Sequence, residues 1–474
     1  MRYVSTRGEA AELEFEDVLL EGLARDGGLY VPDAWPTLGE ARRRELATRP
    51  YARVAAEVMW PFLSGNLERA TFEGIVDAAY AGFRHEAVAP LVQLAPNLWV
   101  MELFHGPTLA FKDVAMQVLG RLFDHVLAAR GDRMTIVGAT SGDTGSAAIE
   151  AFRDRENCDI FILHPRGRTS DVQRKQMTTV NAANVHNVAI EGTFDDCQDL
   201  VKAMFNDAAF RDGVRMSGVN SINWARVMPQ SVYYVTAAAQ LGCFTDRRPV
   251  RFSVPTGNFG DVYAGYIAAR MGVPASRLVV ASNRNDILTR VLRDGDHSRG
   301  EVHATVSPSM DIQSSSNFER LLLDMEAGDT AKVARLMKQW KQTGAFTVDA
   351  TARARLAGRF TGHRVDEEKT LDTIRSVYAD TGYLLDPHTA VGHAAALAEA
   401  APEHAEFGGI ALPTVVLATA HPAKFPDAVE KACGVRPPLP GFLADLYERE
   451  ERFDTLENEL SVVQAYIRER TRAA

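Results

Sequence analysis

Cysteine is scarce in this chain. The four present, Cys158, Cys197, Cys243 and Cys433, lie far apart with no C-x-x-C pair. That excludes the spacing of a structural zinc site or a dithiol redox motif and predicts reduced, mostly buried thiols. Lysine is scarce too: nine of the 52 basic residues are lysines and the rest are arginines. A lysine in apolar surroundings therefore stands out. Among the 35 glycines no two are spaced G-x-G, which excludes a dinucleotide fingerprint, and no G-K-[ST] follows a glycine-rich loop, which excludes a Walker loop.

No apolar run approaches the roughly 18 residues of a membrane-spanning helix, and no early stretch pairs a basic start with an apolar segment of secretion-signal length. A cytoplasmic address without a membrane partner is the expectation. The net charge of -10 argues against a nucleic-acid binder. An anionic ligand would have to meet local groups.

The 474 residues, 46% of them apolar, suffice for a large core and about two to four structural units. From about residue 98, short β-branched runs alternate with helical ones: "MTIVGAT" precedes "SAAIEAF", "DIFILHP" precedes "SDVQRKQM", and "VRFSVPTG" precedes "DVYAGYIAARMG". The alternation predicts parallel α/β units. The first 95 or so residues read as mostly helical, a cap or an oligomer arm, with Pro and Gly concentrated in "RDGGLYVPDAWP". The tail "LADLYEREERFDTLENELSVVQAYIRER" reads as a pair of amphipathic helices with a charged face.

Ligands of open α/β sheets bind at the carboxyl ends of strands, so polar strand-to-helix loops are the places to search. "GATSGDTGSAA" (138–148) offers hydroxyls and amides to a carboxylate at a helix start, or is an ordinary capped turn. "PTGNFGDVYAG" (255–265) brackets Asn258 and Phe259 with Gly257 and Gly260 before a helix, a backbone cradle suited to a phosphate. "LATAHPAKFP" (417–426) ends a buried strand at Thr419, a ligand hydroxyl or merely a satisfied buried one, and carries Lys424.

Lys112 closes the run in "FHGPTLAFKD" (104–113). Flanked by Leu109, Ala110 and Phe111, its amine would be desolvated, its pKa lowered, and usable as a nucleophile or base; a snorkelling surface lysine is the alternative, and Lys424 is its rival. With a phosphate cradle and a strand-end hydroxyl elsewhere, a Schiff base to pyridoxal phosphate accounts for the set best.

These residues resemble a known family. "YVSTRG", "GLARDGGLYVP", "FHGPTLAFKD", "GATSGDTGSAA", "NSINWAR", "GNFGD", "SPSMDIQSSSNFERLL" and "LATAHPAKF", spread over residues 3–425, look like threonine synthase. The resemblance implies an α/β, two-domain pyridoxal-phosphate fold of type II (tryptophan synthase β-like), with parallel or mixed sheets and a mostly helical N-terminal segment. It suggests an N-terminal segment at 1–95, a smaller domain at 96–245 carrying Lys112 and the substrate loop, a larger cofactor-binding domain at 246–434, and a helical tail at 435–474. It implies conversion of O-phospho-L-homoserine and water to L-threonine and phosphate, with Lys112 as the Schiff-base and catalytic lysine. Gly257, Asn258, Phe259, Gly260 and Asp261 match the loop around the cofactor phosphate, and Thr419 matches the hydroxyl facing the pyridine nitrogen. Thr140, Ser141 and Thr144 match the loop that holds the substrate carboxylate, and Asp143 borders the cofactor there. Asn220, Ser221 and Arg226 match groups that hold the substrate phosphate.

Two stretches differ from the family pattern: "DVAMQVLG" after Lys112, and the serines of "QSSSNFE". Two other outcomes fit the same residues: a phospholyase or dehydratase releasing 2-oxobutyrate and ammonia, and a non-catalytic ligand-binding protein. The chain fits a monomer or a homodimer.

Overall fold

The alternation becomes two sheets in the computed structural model, which describes all residues except 64–66, 141, 247 and 401–411. The larger sheet has six strands in the order Phe360–Arg364, Ala275–Ser282, Val250–Pro255, Thr414–Ala418, Leu98–Glu102, Leu91–Ala95. Every neighbouring pair is parallel except the last. The smaller sheet runs Asp454–Leu456, Val185–Ile190, Cys158–Pro165, Met134–Ala139, Met216–Ser217, all parallel. Strands covered on both faces read as continuous apolar runs, and Cys158–Pro165 and Val250–Pro255 are buried at every residue.

Two segments fall across the ranges drawn from the sequence. Leu98–Glu102 pairs with Thr414–Ala418, so the larger sheet takes strands from before residue 103 as well as after 246. The tail is not a helix pair: it gives one helix, Leu460–Arg470, and an edge strand, Asp454–Leu456, which pairs with Val185–Ile190. A polar edge strand lacks the apolar alternation that marks interior strands.

The N-terminal segment is wired into the rest of the fold. Tyr3 and Phe62 pack against Trp224 with ring centroids 5.7 and 5.6 Å away. Arg7 forks onto Glu319 through Nε and Nη2, both at 2.9 Å, and Thr6 Oγ1 donates to the same carboxylate at 2.6 Å. The adjacent Arg320 is wholly buried and donates to the carbonyls of Tyr30 (3.0 Å) and Ile222 (2.6 Å) and to Asn317 Oδ1. One guanidinium thus joins the strand Tyr30–Pro32, the 220–223 turn and the loop before the helix Phe318–Met325. All four cysteines are free and three are buried. No described helix is long and apolar enough to cross a membrane.

Candidate active site

Lys112 opens the helix Lys112–Arg130. The strap before it is tied to the end of the strand Thr414–Ala418: Phe111 N–H donates to the Thr419 carbonyl at 2.8 Å, His421 N–H donates to the Leu109 carbonyl at 3.0 Å, and Ala110 bridges Ala420. Lys112 and Thr419, far apart in sequence, therefore share one sheet end. Leu109 has a φ of 61°, a conformation that non-glycine residues adopt mainly where surrounding structure enforces it. Asp113 does some of that enforcing, since its buried carboxylate accepts from Thr108 N–H (2.8 Å) and Thr108 Oγ1 (2.7 Å). Burial pushes the Asp113 carboxyl up to about 6.

The Lys112 amine lies over the Phe111 ring, 4.8 Å from its centroid, and 3.7 Å from Asp143 Oδ2. Burial drives its pKa below the ordinary lysine value; Asp143 opposes this, while Lys424 and Arg226 add to it. The amine is thus biased toward its neutral, nucleophilic form, as the apolar flank suggested.

Asp143 begins the helix Asp143–Phe152. From the sequence this loop is expected to receive a substrate carboxylate, and the partners of Asp143 account for a carboxylate within it. Lys424, wholly buried, sits 2.9 Å from Asp143 Oδ1 and donates to the Thr108 carbonyl at 2.6 Å. Gln173 Nε2 donates to Asp143 Oδ1 at 2.9 Å. Burial alone would raise the Asp143 pKa, but Lys424 and Lys112 outweigh it and hold the carboxyl well below the usual range. Lys424 is thereby committed to two acceptors, and Lys112 is the less constrained amine.

The glycine loop joins the strand Val250–Pro255 to the helix Gly260–Arg270. Its shape depends on a close approach: a Cβ on Gly257 would lie 2.6 Å from the Ser309 carbonyl oxygen. Phe259 caps the helix at φ 62°, its ring packed between Phe318 and Phe360. Ser315 Oγ donates to the Gly257 carbonyl at 2.8 Å, and Asn317 Nδ2 donates to the carbonyls of Asn258 (3.0 Å) and Ser221 (3.1 Å). Within "QSSSNFE", Ser315 therefore supports this loop. With its carbonyls held from behind, the loop leaves the positive helix start for an anion. Ser315 and Asn317 are not among the residues singled out from the sequence; their hydroxyl and amide density is the available signal.

Asp261, on the first turn of that helix, accepts on Oδ1 from the Tyr233 and Tyr234 hydroxyls, the latter at 2.9 Å. Its buried Oδ2 has no hydrogen-bond partner, and burial pushes its carboxyl up to about 6, with Lys112 pulling the other way. Arg226 is buried on the short helix Trp224–Val227 and donates from Nη1 to the Val219 carbonyl at 2.9 Å. Its Nε is buried without a partner, and desolvation lowers the guanidinium to about 10. The orphaned, buried Arg226 Nε and a glycine cradle that a Cβ would fill suit an anionic group; the orphaned Asp261 Oδ2, an acceptor, would not meet it.

The remaining candidates sit as follows. Thr140 Oγ1 accepts from the N–H groups of Gly142 and Gly145, each at 3.0 Å, and so shapes its own loop. Thr144 is partly buried on the first helical turn. Ser221 meets the cradle through its carbonyl, and Asn220 is exposed at the start of that turn. Ser141 lies outside the described residues.

Fold and site together define a pyridoxal-phosphate enzyme of fold type II, and residues 83–410 match the pyridoxal-phosphate dependent enzymes. Residues 2–80 match the threonine synthase N terminus and residues 389–467 the threonine synthase C-terminal region. The chain is 54% identical over 468 residues to threonine synthase from Pseudomonas aeruginosa, covering 98% of each, and 39% identical over 497 residues to that from Saccharomyces cerevisiae, covering 98% of this chain and 95% of the other. The crystal structure of pyridoxal-phosphate-bound threonine synthase from Brucella melitensis superposes with a TM-score of 0.96 at 56% identity, covering 100% of both chains. The chain belongs to the threonine synthase family.

Proposed function

We propose that the chain converts O-phospho-L-homoserine and water to L-threonine and inorganic phosphate, with Lys112 as the base and acid that moves protons at the substrate carbons. The observation that carries this reading is the placement of two cations. Lys112 sits largely buried at the sheet end it shares with Thr419. Arg226, buried with its Nε unpartnered, is near enough that its like charge adds to the lowering of the Lys112 pKa, which supports a proton-transfer group and a phosphate-binding cation in one site.

When bound, pyridoxal phosphate supplies an electron sink that makes protons beside the substrate amine acidic. Lys112 would hold its carbonyl carbon, the loop Gly257–Asp261 its phosphate, and Thr419 its ring nitrogen. Thr419 offers a hydroxyl rather than a charge, so nothing there fixes a proton on the ring. Lys424 keeps Asp143 ionised and offsets its charge, and the start of the helix Asp143–Phe152, with Thr140, Ser141 and Thr144, would receive the substrate carboxylate. Arg226, with Asn220 and Ser221 nearby in the chain, would hold the substrate phosphate through the guanidinium fork. Retaining that phosphate at Arg226 keeps the first product beside the carbon that water must reach. The free, reduced cysteines agree with a cytoplasmic setting.

The test is to incubate the pyridoxal-phosphate-loaded protein with O-phospho-L-homoserine and quantify threonine, 2-oxobutyrate and phosphate together. Threonine in step with phosphate is expected. Phosphate with 2-oxobutyrate and no threonine would make the protein a phospholyase.

A further inference from the structure

An arginine-lined cavity abuts the strap that precedes Lys112. The cavity, of about 380 Å³, is bounded by Ala79, Gly82 and Arg84, by the helix Lys112–Arg130, and by the end of the helix Asp143–Phe152. Lys112, Asp143, Arg226, Thr419 and the loop Gly257–Asp261 are not among its lining residues. Four arginines line it, Arg84, Arg121, Arg153 and Arg155, against two acids, Glu150 and Asp154. Arg153 takes up both acids, at 3.1 and 3.4 Å.

The other three guanidiniums meet no carboxylate among the described residues. Arg121 Nη1 donates to the Gln117 carbonyl (2.8 Å) and side-chain oxygen (2.9 Å). Arg155 Nε donates to the Ala151 carbonyl at 3.2 Å, and the Arg84 guanidinium lies over the Phe442 ring, 4.6 Å from its centroid. Burial, and then the neighbouring Arg155, lower the Arg121 pKa to about 10, so Arg121 and Arg155 already repel each other. Three like charges around one cavity, in a protein of net charge -10, are an arrangement that a bound anion would stabilise.

We propose that this cavity binds a small phosphate-bearing anion at Arg84, Arg121 and Arg155, separately from the substrate pocket. The planar fork of each guanidinium matches two oxygens of an oxyanion, and a phosphate has enough oxygens for more than one fork. The position ties it to the active site. Pro107 lines the cavity and is followed by Thr108, whose carbonyl receives Lys424 and whose N–H and hydroxyl hold Asp113.

Calorimetric titration of the pyridoxal-phosphate-loaded protein tests the proposal, with inorganic phosphate and glycerol 3-phosphate as separate probes. The wild type is expected to show two classes of site. The double variant R121Q/R155Q should lose one, with affinity at least about tenfold weaker for one or both probes, while its initial rates without added anion match the wild type. R226Q should retain that site, so failure of the substrate-phosphate assignment would show separately. Loss confined to glycerol 3-phosphate identifies a phosphate ester as the ligand, and loss confined to inorganic phosphate identifies the free ion. Unchanged binding of both probes to a double variant with native melting behaviour overturns the proposal. Should that variant melt early, R84Q, at an exposed position, decides: weakened binding supports the site and wild-type binding overturns it.

Discussion

Lys424 Nζ lies 2.9 Å from Asp143 Oδ1 with both side chains buried, while the other carboxylate oxygen is 3.7 Å from Lys112 Nζ. One carboxylate therefore sits between two lysines that have different tasks. Lys424 neutralises it and anchors the strap through Thr108, leaving Lys112 able to lose its proton. Removing one partner of a buried pair strands the other charge at a cost of about 3–5 kcal/mol, whereas replacing both is far milder. Lys424→Met leaves Asp143 only Gln173 and the more distant Lys112, so it should destabilise the protein, by up to about 3–5 kcal/mol, and adding Asp143→Asn should recover much of the loss. Denaturant unfolding of the two single variants and the double variant measures this; additive losses would show that the pair is not coupled.

Asp261 gives a pH dependence of stability. Burial raises its folded-state carboxyl to about 6, above the ordinary value of 3.8, so the folded state binds the extra proton. Its contribution to stability is then fully present below about pH 4 and is lost as pH rises to about 6. Asp261→Asn, which keeps an oxygen for Tyr233 and Tyr234, should gain stability relative to wild type across that interval, by about 2–3 kcal/mol, and stay level above it. Melting curves of both proteins between pH 4 and 7.5 provide the comparison. A constant difference across the range would mean that the carboxyl titrates normally.

Gly257 tests the cradle. The Cβ of alanine there would meet the Ser309 carbonyl, a backbone atom that cannot swing aside, so the loop must move. Gly257→Ala should weaken pyridoxal-phosphate affinity at least about tenfold, or about 1.4 kcal/mol, with a much smaller effect on unfolding of the cofactor-free chain. Cofactor absorbance after dialysis reads the affinity. Wild-type retention would place the phosphate elsewhere.

Much of this was legible in the sequence, for local reasons. Strands such as Val250–Pro255 and helices such as Gly260–Arg270 announce themselves by continuous apolar runs and by period, and the polar loops between them fall at strand ends as the α/β pattern requires. The missing parts are non-local. Nothing near Lys424 shows that it will meet Asp143, because that contact exists only once Thr414–Ala418 pairs with Leu98–Glu102 and brings the 417–426 loop beside the strap. The same holds for Arg320, whose three acceptors come from three separate segments. Asp454–Leu456 was hidden by its charged setting, since a solvated edge strand carries little β signal.

The central claim is that Lys112, and not Lys424, carries the chemistry. Reducing the pyridoxal-phosphate-loaded protein with borohydride, digesting it and locating the modified lysine by peptide mass tests that claim directly. The geometry predicts label on Lys112 alone, with Lys112→Ala unlabelled and inactive and Lys424→Met still labelled at Lys112. Label on Lys424, or turnover by Lys112→Ala, would contradict it.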